Sequence, residues 1–143
     1  METYRAATYV TAQYGTKQVS RSASTGIYFL ICPGNVSRLH RIQSDEMWHF
    51  YLGGPMTIVE LDNNHPDGYK ATVIGQDITK GQVVQYVVKA GVWFGSYPNE
   101  GTLFSFVGCS VAPGFDFSDF ELADRAELLK DFPKAATIIE KLT

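Results

Sequence analysis

Short strand-like runs that recur along the first 112 residues constrain the fold more than any other feature of this sequence. In these runs apolar residues either alternate with polar ones or form brief apolar stretches, and turn-forming residues separate one run from the next. Closely spaced strands of this kind predict an antiparallel sandwich or barrel rather than alternating strands and helices. We expect strands near residues 4–11, 25–32, 36–42, 46–53, 56–62, 70–76, 83–88, 92–97 and 102–112.

The composition is that of a single globular domain without a nucleic-acid-binding surface. The 143 residues are 45% hydrophobic and 13% aromatic, and the formal net charge of −3 comes without any run of Lys and Arg. No segment approaches the length of a membrane span, and the first residues lack the apolar region of a secretory signal. We therefore predict one domain over residues 1–143, a cytoplasmic location, and neither a nucleic-acid nor a membrane partner.

The two cysteines, Cys32 and Cys109, both lie in apolar strand sequence. Free cysteines are among the residues most often buried, so we predict two buried free thiols. A disulfide or a nucleophilic cysteine is the alternative interpretation.

The residue pattern changes after residue 112 from strand-like to helical, and a Pro-Gly loop separates the two regions. Ser118 and Glu121 have the three-residue offset of a capping box, and Leu122, Ala126 and Leu129 recur at helical spacing. We predict a barrel over about residues 4–112 and C-terminal helices over about 118–142, which cover the outside of the barrel or form a dimer contact. We expect Asp116 and Glu121 to tie the loop and cap the helix.

A predicted hairpin over residues 34–53 places a histidine and a carboxylate on successive strands. His40 lies near the end of the first strand, Glu46 opens the second, and short polar residues between them suit a turn. Side chains two apart share one face of a strand, so Glu46 and Trp48 face the same way. If His40 points to the same interior, the two form a titratable pair in a partly aromatic cavity. Otherwise they are ordinary strand residues on a solvated face.

The same segment resembles the first motif of the cupin superfamily, G-x(5)-H-x-H-x(3,4)-E-x(6)-G. Gly34, His40, Glu46 and Gly53 stand at the motif's positions, and Ile42 stands where the motif has its second histidine. The second motif is recognisable in VVKAGVWFGSYPN, where Gly91 is kept but Lys89 replaces a proline and Phe94 replaces a histidine.

More narrowly, SDEMWHFYLGGPM, KAGVWFGS and FVGCSVAPGFDFSDFELADRAELLKDFP resemble the fifth cupin subfamily, whose members are small single-domain proteins. The resemblance extends from about residue 24 to the end, and YVTAQYGT before it matches only loosely. It implies a mainly β, antiparallel jelly-roll barrel with a ligand cavity at its mouth, paired as a homodimer. Sugar-nucleotide epimerases are relatives that share this architecture.

The resemblance also implies a metal site of three histidines and one glutamate, of which this chain keeps two candidate ligands. His40 and Glu46 are retained, whereas Ile42 and Phe94 have no lone pair to offer a cation. His49 is the nearby substitute, but strand alternation directs it to the face opposite Glu46. We therefore predict no cofactor. A weakly held divalent cation on His40, Glu46 and His49 is the less favoured alternative.

An acid–base pair in an apolar cavity favours proton transfer without a metal. Burial would raise the pKa of the carboxyl and lower that of the imidazole, while their mutual attraction opposes both shifts. We predict a small-molecule-binding protein, an isomerase or epimerase acting on a carbohydrate-like ligand, with His40 as base and Glu46 as its orienting partner. The epimerase relatives use a tyrosine acid, for which Tyr28 and Tyr51 are candidates. The predicted ligand-binding residues are Tyr28, Ile42, Trp48, Phe50, Trp93, Phe94 and Phe106.

A non-catalytic small-molecule binder is the second hypothesis. The eroded second motif favours it, whereas the intact spacing of His40 and Glu46 favours the enzyme. The fold alone decides neither, because this architecture hosts many functions.

Overall fold

The computed structural model describes residues 3–143, which form antiparallel strands followed by two short helices. Single 3-10 turns lie at Ile78–Lys80, Phe117–Asp119 and Pro133–Ala135. The strands and helices are β1 Thr3–Arg5, β2 Tyr9–Tyr14, β3 Lys17–Ser22, β4 Thr25–Ile31, β5 Ser37–Arg41, β6 Glu46–Gly53, β7 Met56–Leu61, β8 Tyr69–Ile74, β9 Gln85–Val88, β10 Phe94–Pro98, β11 Ser105–Val111, β12 Glu121–Leu122, α1 Arg125–Asp131 and α2 Ala136–Leu142.

Two five-stranded sheets face each other and enclose the main core. One has the strand order β1-β4-β11-β6-β9 and the other β12-β5-β10-β7-β8, and all of these strand pairings are antiparallel. Trp48, Phe94 and Ile58 are among the fully buried side chains between the sheets. The predicted mainly β, antiparallel jelly-roll architecture is confirmed.

A second core lies on the outer face of the second sheet. Leu39 and Val59 point outward from this sheet and pack with Ile138, Ile139 and Leu142 of α2, all of them at most 7% exposed. The C-terminal helices therefore cover the outside of the barrel. Neither helix exceeds seven residues, and within residues 3–143 no helix has the length and hydropathy needed to cross a membrane.

The predicted capping box is wrong. α1 begins at Arg125, and its N-cap is Asp124, whose carboxylate accepts a hydrogen bond from the backbone N–H of Glu127 at 3.0 Å. Ser118 lies in a 3-10 turn, where Asp116 accepts hydrogen bonds from its backbone N–H and its hydroxyl. Asp116 therefore ties the loop as predicted. Glu121 caps no helix, because its backbone pairs with β5 as part of β12.

The N-terminal part of the chain also differs from the prediction. The expected strand over 4–11 divides into β1, which pairs with β4, and β2, which forms a separate hairpin with β3. β3 was missed because its sequence, KQVSRS, has no apolar alternation, and only Ser22 of this strand is buried. Gly15 turns the hairpin at φ +59°, a left-handed conformation that glycine adopts readily.

Side-chain contacts join the sheets and anchor the hairpin. At one edge the Tyr86 hydroxyl of β9 donates a hydrogen bond to Glu60 of β7 and accepts one from Lys70 of β8 at 2.6 Å. The hairpin is held by Arg21, whose guanidinium donates two hydrogen bonds of 2.7 Å to the carboxylate of Asp119. Both partners of this ion pair are largely buried.

Both cysteines are free thiols, as predicted. Cys109 is buried between the sheets, but Cys32 is exposed, so the prediction of burial is wrong for that residue. Cys32 lies just beyond the end of β4, where the chain leaves the sheet.

Candidate functional site

A cavity of about 430 Å³ lies between the two sheets, on the side where β1, β4, β5 and β12 meet. β4, β6 and β11 supply its first wall, β5 and β12 its second, and the loop after β11 closes over it. The residues that line it are Arg5, Thr25, Ile27, Phe29, Ser37, Arg38, His40, Glu46, Trp48, Cys109, Val111, Phe115, Phe117, Phe120 and Leu122.

The lining residues divide into a buried floor and an exposed mouth. Trp48 and Glu46 are 1% and 8% exposed and belong to the floor, whereas Phe117 at 77% and Leu122 at 49% border the solvent. The lining is therefore mostly apolar, with a few polar groups, which is the usual composition of a small-molecule site.

Glu46 is a buried carboxyl with no ionic partner among residues 3–143. It opens β6 and faces inward on the same side of the strand as Trp48. Burial raises its pKa to about 7, and the neighbouring Cys109 thiol acts in the opposite direction. Burial, and then the nearby Glu46 charge, raise the pKa of the Cys109 thiol. Glu46 can therefore gain or lose a proton near neutral pH, whereas Cys109 stays protonated.

His40 lies between two aromatic rings on the opposite wall. Its imidazole centroid is 4.2 Å from the ring centroid of Phe94. It is 5.2 Å from the ring centroid of Phe120, and the planes of the His40 and Phe120 rings make an angle of 29°. Its Nδ1 lies 2.6 Å from the Arg38 carbonyl oxygen, and because a carbonyl only accepts, Nδ1 carries the proton. Burial lowers the pKa of His40, and the backbone hydrogen bond opposes this. The neutral ring therefore keeps a free lone pair on Nε2.

His40 and Glu46 thus line the same cavity from facing walls. No hydrogen bond joins their side chains within the described part of the chain, so the imidazole is oriented by the Arg38 carbonyl and the flanking rings. The structure therefore does not place Glu46 as the orienting partner of His40 that the sequence predicted.

The other predicted ligand-binding residues are distributed over the molecule. Trp48 lines the cavity, Phe94 lies behind His40, and Phe50 belongs to the main core away from the cavity. Ile42 is buried outside the cavity, where its carbonyl accepts a hydrogen bond from Gly91. Trp93 packs with the outer core, and the Arg41 guanidinium lies 4.4 Å from the centroid of its ring.

Tyr28 and Phe106 lie on the outer face of the first sheet, not in the cavity. Their ring centroids are 5.5 Å apart, and Tyr51 packs against both. Tyr28 and Tyr51, the candidate proton donors, are 56% and 46% exposed there. His49 lies on the same outer face and hydrogen-bonds to Ser110 through Nε2 at 2.8 Å.

The donor set around the cavity does not fit the four-ligand metal site of the resemblance. Residues 3–143 contain no group of three or more His, Cys, Asp and Glu side chains arranged to hold a metal ion. His40 and Glu46 face the cavity, but Ile42 and Phe94 supply no donor atom, and His49 is on the other face of its sheet.

Sequence reasoning missed the aromatic loop after β11. Phe115, Phe117 and Phe120 line the cavity and pack edge-on against one another, with centroids 5.1 to 6.4 Å apart. Several phenylalanines in one polar, proline-containing loop were a usable signal, because exposed clustered apolar residues mark binding sites. Arg5 and Arg38 were also missed, since nothing in a single arginine tells on which face of a strand it lies.

Comparison with known families agrees with this architecture. A family model described as "Cupin superfamily (DUF985)" matches residues 1–123. The match includes the first 23 residues, where the sequence resemblance was loose, and it ends before α1.

Among curated proteins, the uncharacterized protein YML079W of Saccharomyces cerevisiae is 35% identical over 123 residues. The match covers 80% of this chain and 58% of YML079W, so the chain spans less than two thirds of that relative.

Two solved structures are similar over nearly the whole chain. A hypothetical protein from Leishmania major has a TM-score of 0.86 at 32% identity, covering 98% of this chain and 85% of the other. A protein from Shewanella oneidensis has a TM-score of 0.82 at 38% identity, covering 98% and 82%. At the level of the fold alone, a dTDP sugar isomerase from Desulfovibrio desulfuricans has a TM-score of 0.60 at 13% identity, covering 94% and 85%.

Proposed function

Since this chain belongs to the DUF985 family of the cupin superfamily, we propose that it binds a small ring-containing molecule in the cavity and moves a proton on it. The observation that carries this proposal is the placement of His40 and Glu46 in the walls of one apolar, ring-lined cavity. The reaction class is an isomerisation or epimerisation at an acidic C–H of a carbohydrate-like ligand.

The protonation states of His40 and Glu46 assign them different roles, as base and acid. Neutral His40, with its proton on Nδ1, has a lone pair on Nε2 that accepts the proton from the C–H bond. Glu46, with a pKa raised to about 7, is partly protonated at neutral pH and donates a proton to the carbanion or to the oxygen that carries its charge. Positioned acid–base groups of this kind typically accelerate proton transfer roughly 100- to 10,000-fold.

The shape of the cavity supports a flat or ring-shaped ligand. Trp48, Phe29, Phe115 and Phe120 offer aromatic surfaces, and Thr25 and Ser37 offer hydroxyl groups beside them. A sugar ring, a nucleobase or a small aromatic compound matches such walls. The fold-level similarity to a dTDP sugar isomerase is compatible with this class. The reaction we propose uses no metal.

A non-catalytic binder is the second candidate, and the position of the tyrosines favours it. The epimerase relatives implied by the sequence use a tyrosine acid, yet the described residues that line the cavity include no tyrosine. Under this alternative, Glu46 and His40 contribute hydrogen bonds to a ligand that leaves unchanged.

The test is a thermal-shift screen of sugars, nucleotides and small acids, followed by NMR detection of solvent deuterium entering the bound compound. A ligand at 100 times its dissociation constant stabilises the folded state by about 2.7 kcal/mol. We expect exchange in the wild type and a loss of roughly 100-fold or more in His40→Ala and Glu46→Gln. His49→Ala, on the outer face, is the matched control and should exchange normally.

Binding without exchange would favour the non-catalytic alternative. If His40→Ala and Glu46→Gln both bind and exchange as the wild type does, neither residue belongs to the functional site and the proposal is wrong.

A homodimer and a cytoplasmic location remain predictions. The outer face of the first sheet carries the exposed cluster Tyr28, Tyr51 and Phe106, flanked by Leu30 and Leu52 at 58% and 56% exposure. We propose that a second copy of the chain covers this face. Light scattering should give a dimer for the wild type and a monomer for the Tyr28→Ser/Phe106→Ser variant, and a monomeric wild type would contradict the proposal.

A further inference from the structure

The β2–β3 hairpin forms a sheet of its own, and one of its two faces lies against the barrel. Residues that pair across the hairpin share a face, and successive residues along each strand alternate between the faces. The covered face carries Ala12, which is buried, and Tyr14, Val19 and Arg21, which are half-buried. The other face is exposed except at Ser22, where β3 ends. Since a two-stranded hairpin is marginally stable by itself, its contacts with the barrel hold it in place.

The turn of the hairpin is fastened beside the candidate catalytic residues. The hydroxyl oxygens of Tyr14 and Ser44 lie 2.8 Å apart and form a hydrogen bond. Ser44 is buried in the turn between β5 and β6, which lies between His40 and Glu46 in the chain. The hairpin therefore contacts the segment that joins these two residues.

Arg21, at the other end of the hairpin, binds the aromatic loop after β11. Its Nε and Nη2 each donate a hydrogen bond of 2.7 Å to the Asp119 carboxylate, and Nη2 also donates one of 2.9 Å to the Ser118 hydroxyl oxygen. The side chains of Arg21 and Asp119 are only 13% and 10% exposed. A bidentate pair of a guanidinium and a carboxylate fixes orientation as well as distance, so the loop is held in one position at Asp119.

Phe120 follows Asp119 directly and packs on the candidate base. Its ring stacks on the His40 imidazole, with the two centroids 5.2 Å apart. After Phe120 the chain continues as β12, whose backbone pairs with β5. Phe120 is therefore held by β12 on one side and by the pair of Arg21 and Asp119 on the other. Neither member of this pair is among the described residues that line the cavity.

Deepening the proposed function, on which its catalytic meaning depends, we propose that the hairpin positions the aromatic wall of the cavity and that Arg21 is a positioning residue for His40. The pair of Arg21 and Asp119 holds the Phe120 ring on the imidazole, which keeps water from the imidazole and fixes the direction of its Nε2. The hydrogen bond between Tyr14 and Ser44 keeps the hairpin itself in place. Such positioning affects the rate, because a misplacement of about 1 Å can cost roughly 100-fold.

The test compares two double variants of the ligand-free protein by NMR. Arg21→Met/Asp119→Asn removes the buried pair that precedes Phe120. Arg41→Met/Glu121→Gln is the matched control, because it removes the exposed pair that follows Phe120, in which a guanidinium also donates two hydrogen bonds to a carboxylate. Each variant loses one positive and one negative charge, so a change in the imidazole does not arise from a change in net charge.

Two signals of His40 give the result, and the His40→Ala variant identifies them among the three histidines. The first is the nuclear Overhauser effect between ring protons of His40 and Phe120, which should weaken or disappear in Arg21→Met/Asp119→Asn. The second is the pKa of His40, which burial lowers and which should rise toward the ordinary value of 6.5 as water reaches the ring. The control should keep both at their wild-type values.

The other titratable or charged groups of the cavity do not account for such a change, because they are the same in all of the proteins compared. These groups are Arg5, Arg38, Glu46 and Cys109. Melting temperatures check that the variants fold. If Arg21→Met/Asp119→Asn does not fold, Arg21→Lys replaces it. Lysine keeps the charge but cannot form the bidentate contact, so both signals should change in the same direction by a smaller amount.

The inference is overturned if the folded variant of the buried pair keeps the wild-type contact and pKa, or if the control changes them equally. Because no ligand is present, either result leaves the proposed acid–base reaction standing. An absence of deuterium exchange in the wild type would instead refute that reaction, while the dependence of His40 packing on Arg21 would still hold.

Discussion

Two glutamates point from consecutive strands toward the space between the sheets, and their surroundings differ sharply. Glu60 of β7 accepts a hydrogen bond from Tyr86, and its Oε2 lies 4.0 Å from the Lys70 ammonium. Glu46 of β6 has no ionic partner among residues 3–143, is 8% exposed and faces an aromatic cavity.

This difference indicates that the Glu60 carboxyl has a structural role and that the Glu46 carboxyl is available for chemistry. A carboxylate with a donor and a cation beside it, such as Glu60, joins two sheet edges. A buried carboxyl without such partners is held nearer to its neutral form, which costs stability above its pKa and leaves a proton to exchange. Functional sites are where such unpartnered titratable groups concentrate.

Phe94 supports both regions, and its removal should have the largest effect. It is 1% exposed, lies 4.2 Å from the His40 ring, and pairs in register with Glu60. We expect Phe94→Ala to lower the free energy of unfolding by about 3–5 kcal/mol, measured by urea denaturation. Phe117→Ala, at a 77% exposed ring, is the control and should change it by less than about 0.5 kcal/mol. Equal effects of the two variants would contradict the packing described here.

The pH dependence of stability should report on the buried carboxyl of Glu46. The folded state binds the Glu46 proton more tightly than the unfolded state does, so its contribution is fully present below pH 4.5 and is lost as pH rises through about 7. We expect the free energy of unfolding to fall by up to about 3 kcal/mol across this window. His40, whose pKa is lowered, acts with the opposite sign, so its stability contribution is lost as pH falls.

Comparing Glu46→Gln with Glu60→Gln isolates the contribution of Glu46 to the pH dependence of stability. Glu46→Gln should remove the loss of stability between pH 4.5 and 7, whereas Glu60→Gln should retain it. The same pH dependence in the wild type and in Glu46→Gln would show that Glu46 titrates normally.

Tyr86→Phe should lower the free energy of unfolding by a smaller amount, because it removes only the contact between Tyr86 and Glu60 at the edge where β9 meets β7 and β8. Removing the hydroxyl leaves Glu60 without its donor, and its side chain is only 12% exposed, so we expect a loss of roughly 1–3 kcal/mol in urea denaturation. Tyr51→Phe, on the exposed outer face, is the matched control, with a change of less than about 0.5 kcal/mol. If the two variants are equally stable, the contact between Tyr86 and Glu60 does not hold the edge together.

The sequence was sufficient for the fold because the motif residues have backbone roles. Gly34, Gly53 and Gly91 all have positive φ, at +86°, +95° and +77°, so their place in the motifs reflects turns that other residues adopt poorly. At Gly53 a Cβ would also clash with the Phe104 carbonyl oxygen. Strand periodicity predicted an antiparallel sandwich or barrel, and the resemblance of the motifs implied the jelly-roll architecture.

The sequence was insufficient for the cavity lining because two strands are apolar on both faces. In β4, TGIYFLI, Thr25, Ile27 and Phe29 face the cavity, and Tyr28 therefore points outward. β11 has the same ambiguity, with Cys109 inward and Phe106 outward. When both faces of a strand are apolar, the sequence shows that side chains alternate between the faces but not which set of residues faces the cavity.

The aromatic loop could not be placed from sequence for a different reason. Its position depends on long-range contacts, such as the hydrogen bond from the backbone N–H of Phe115 to the Thr25 hydroxyl at 2.8 Å and the ion pair of Arg21 with Asp119. Neither contact is encoded by neighbours along the chain.

The most direct test of the account is the titration of Glu46 itself. The carboxyl carbon of ¹³C-labelled glutamate is followed by NMR against pH, and the Glu46→Gln variant identifies its signal. We expect a midpoint of about 7, raised by burial in the ring-lined cavity. A midpoint near the ordinary value of 4.5 would show a solvated carboxyl and contradict the proposed acid–base role.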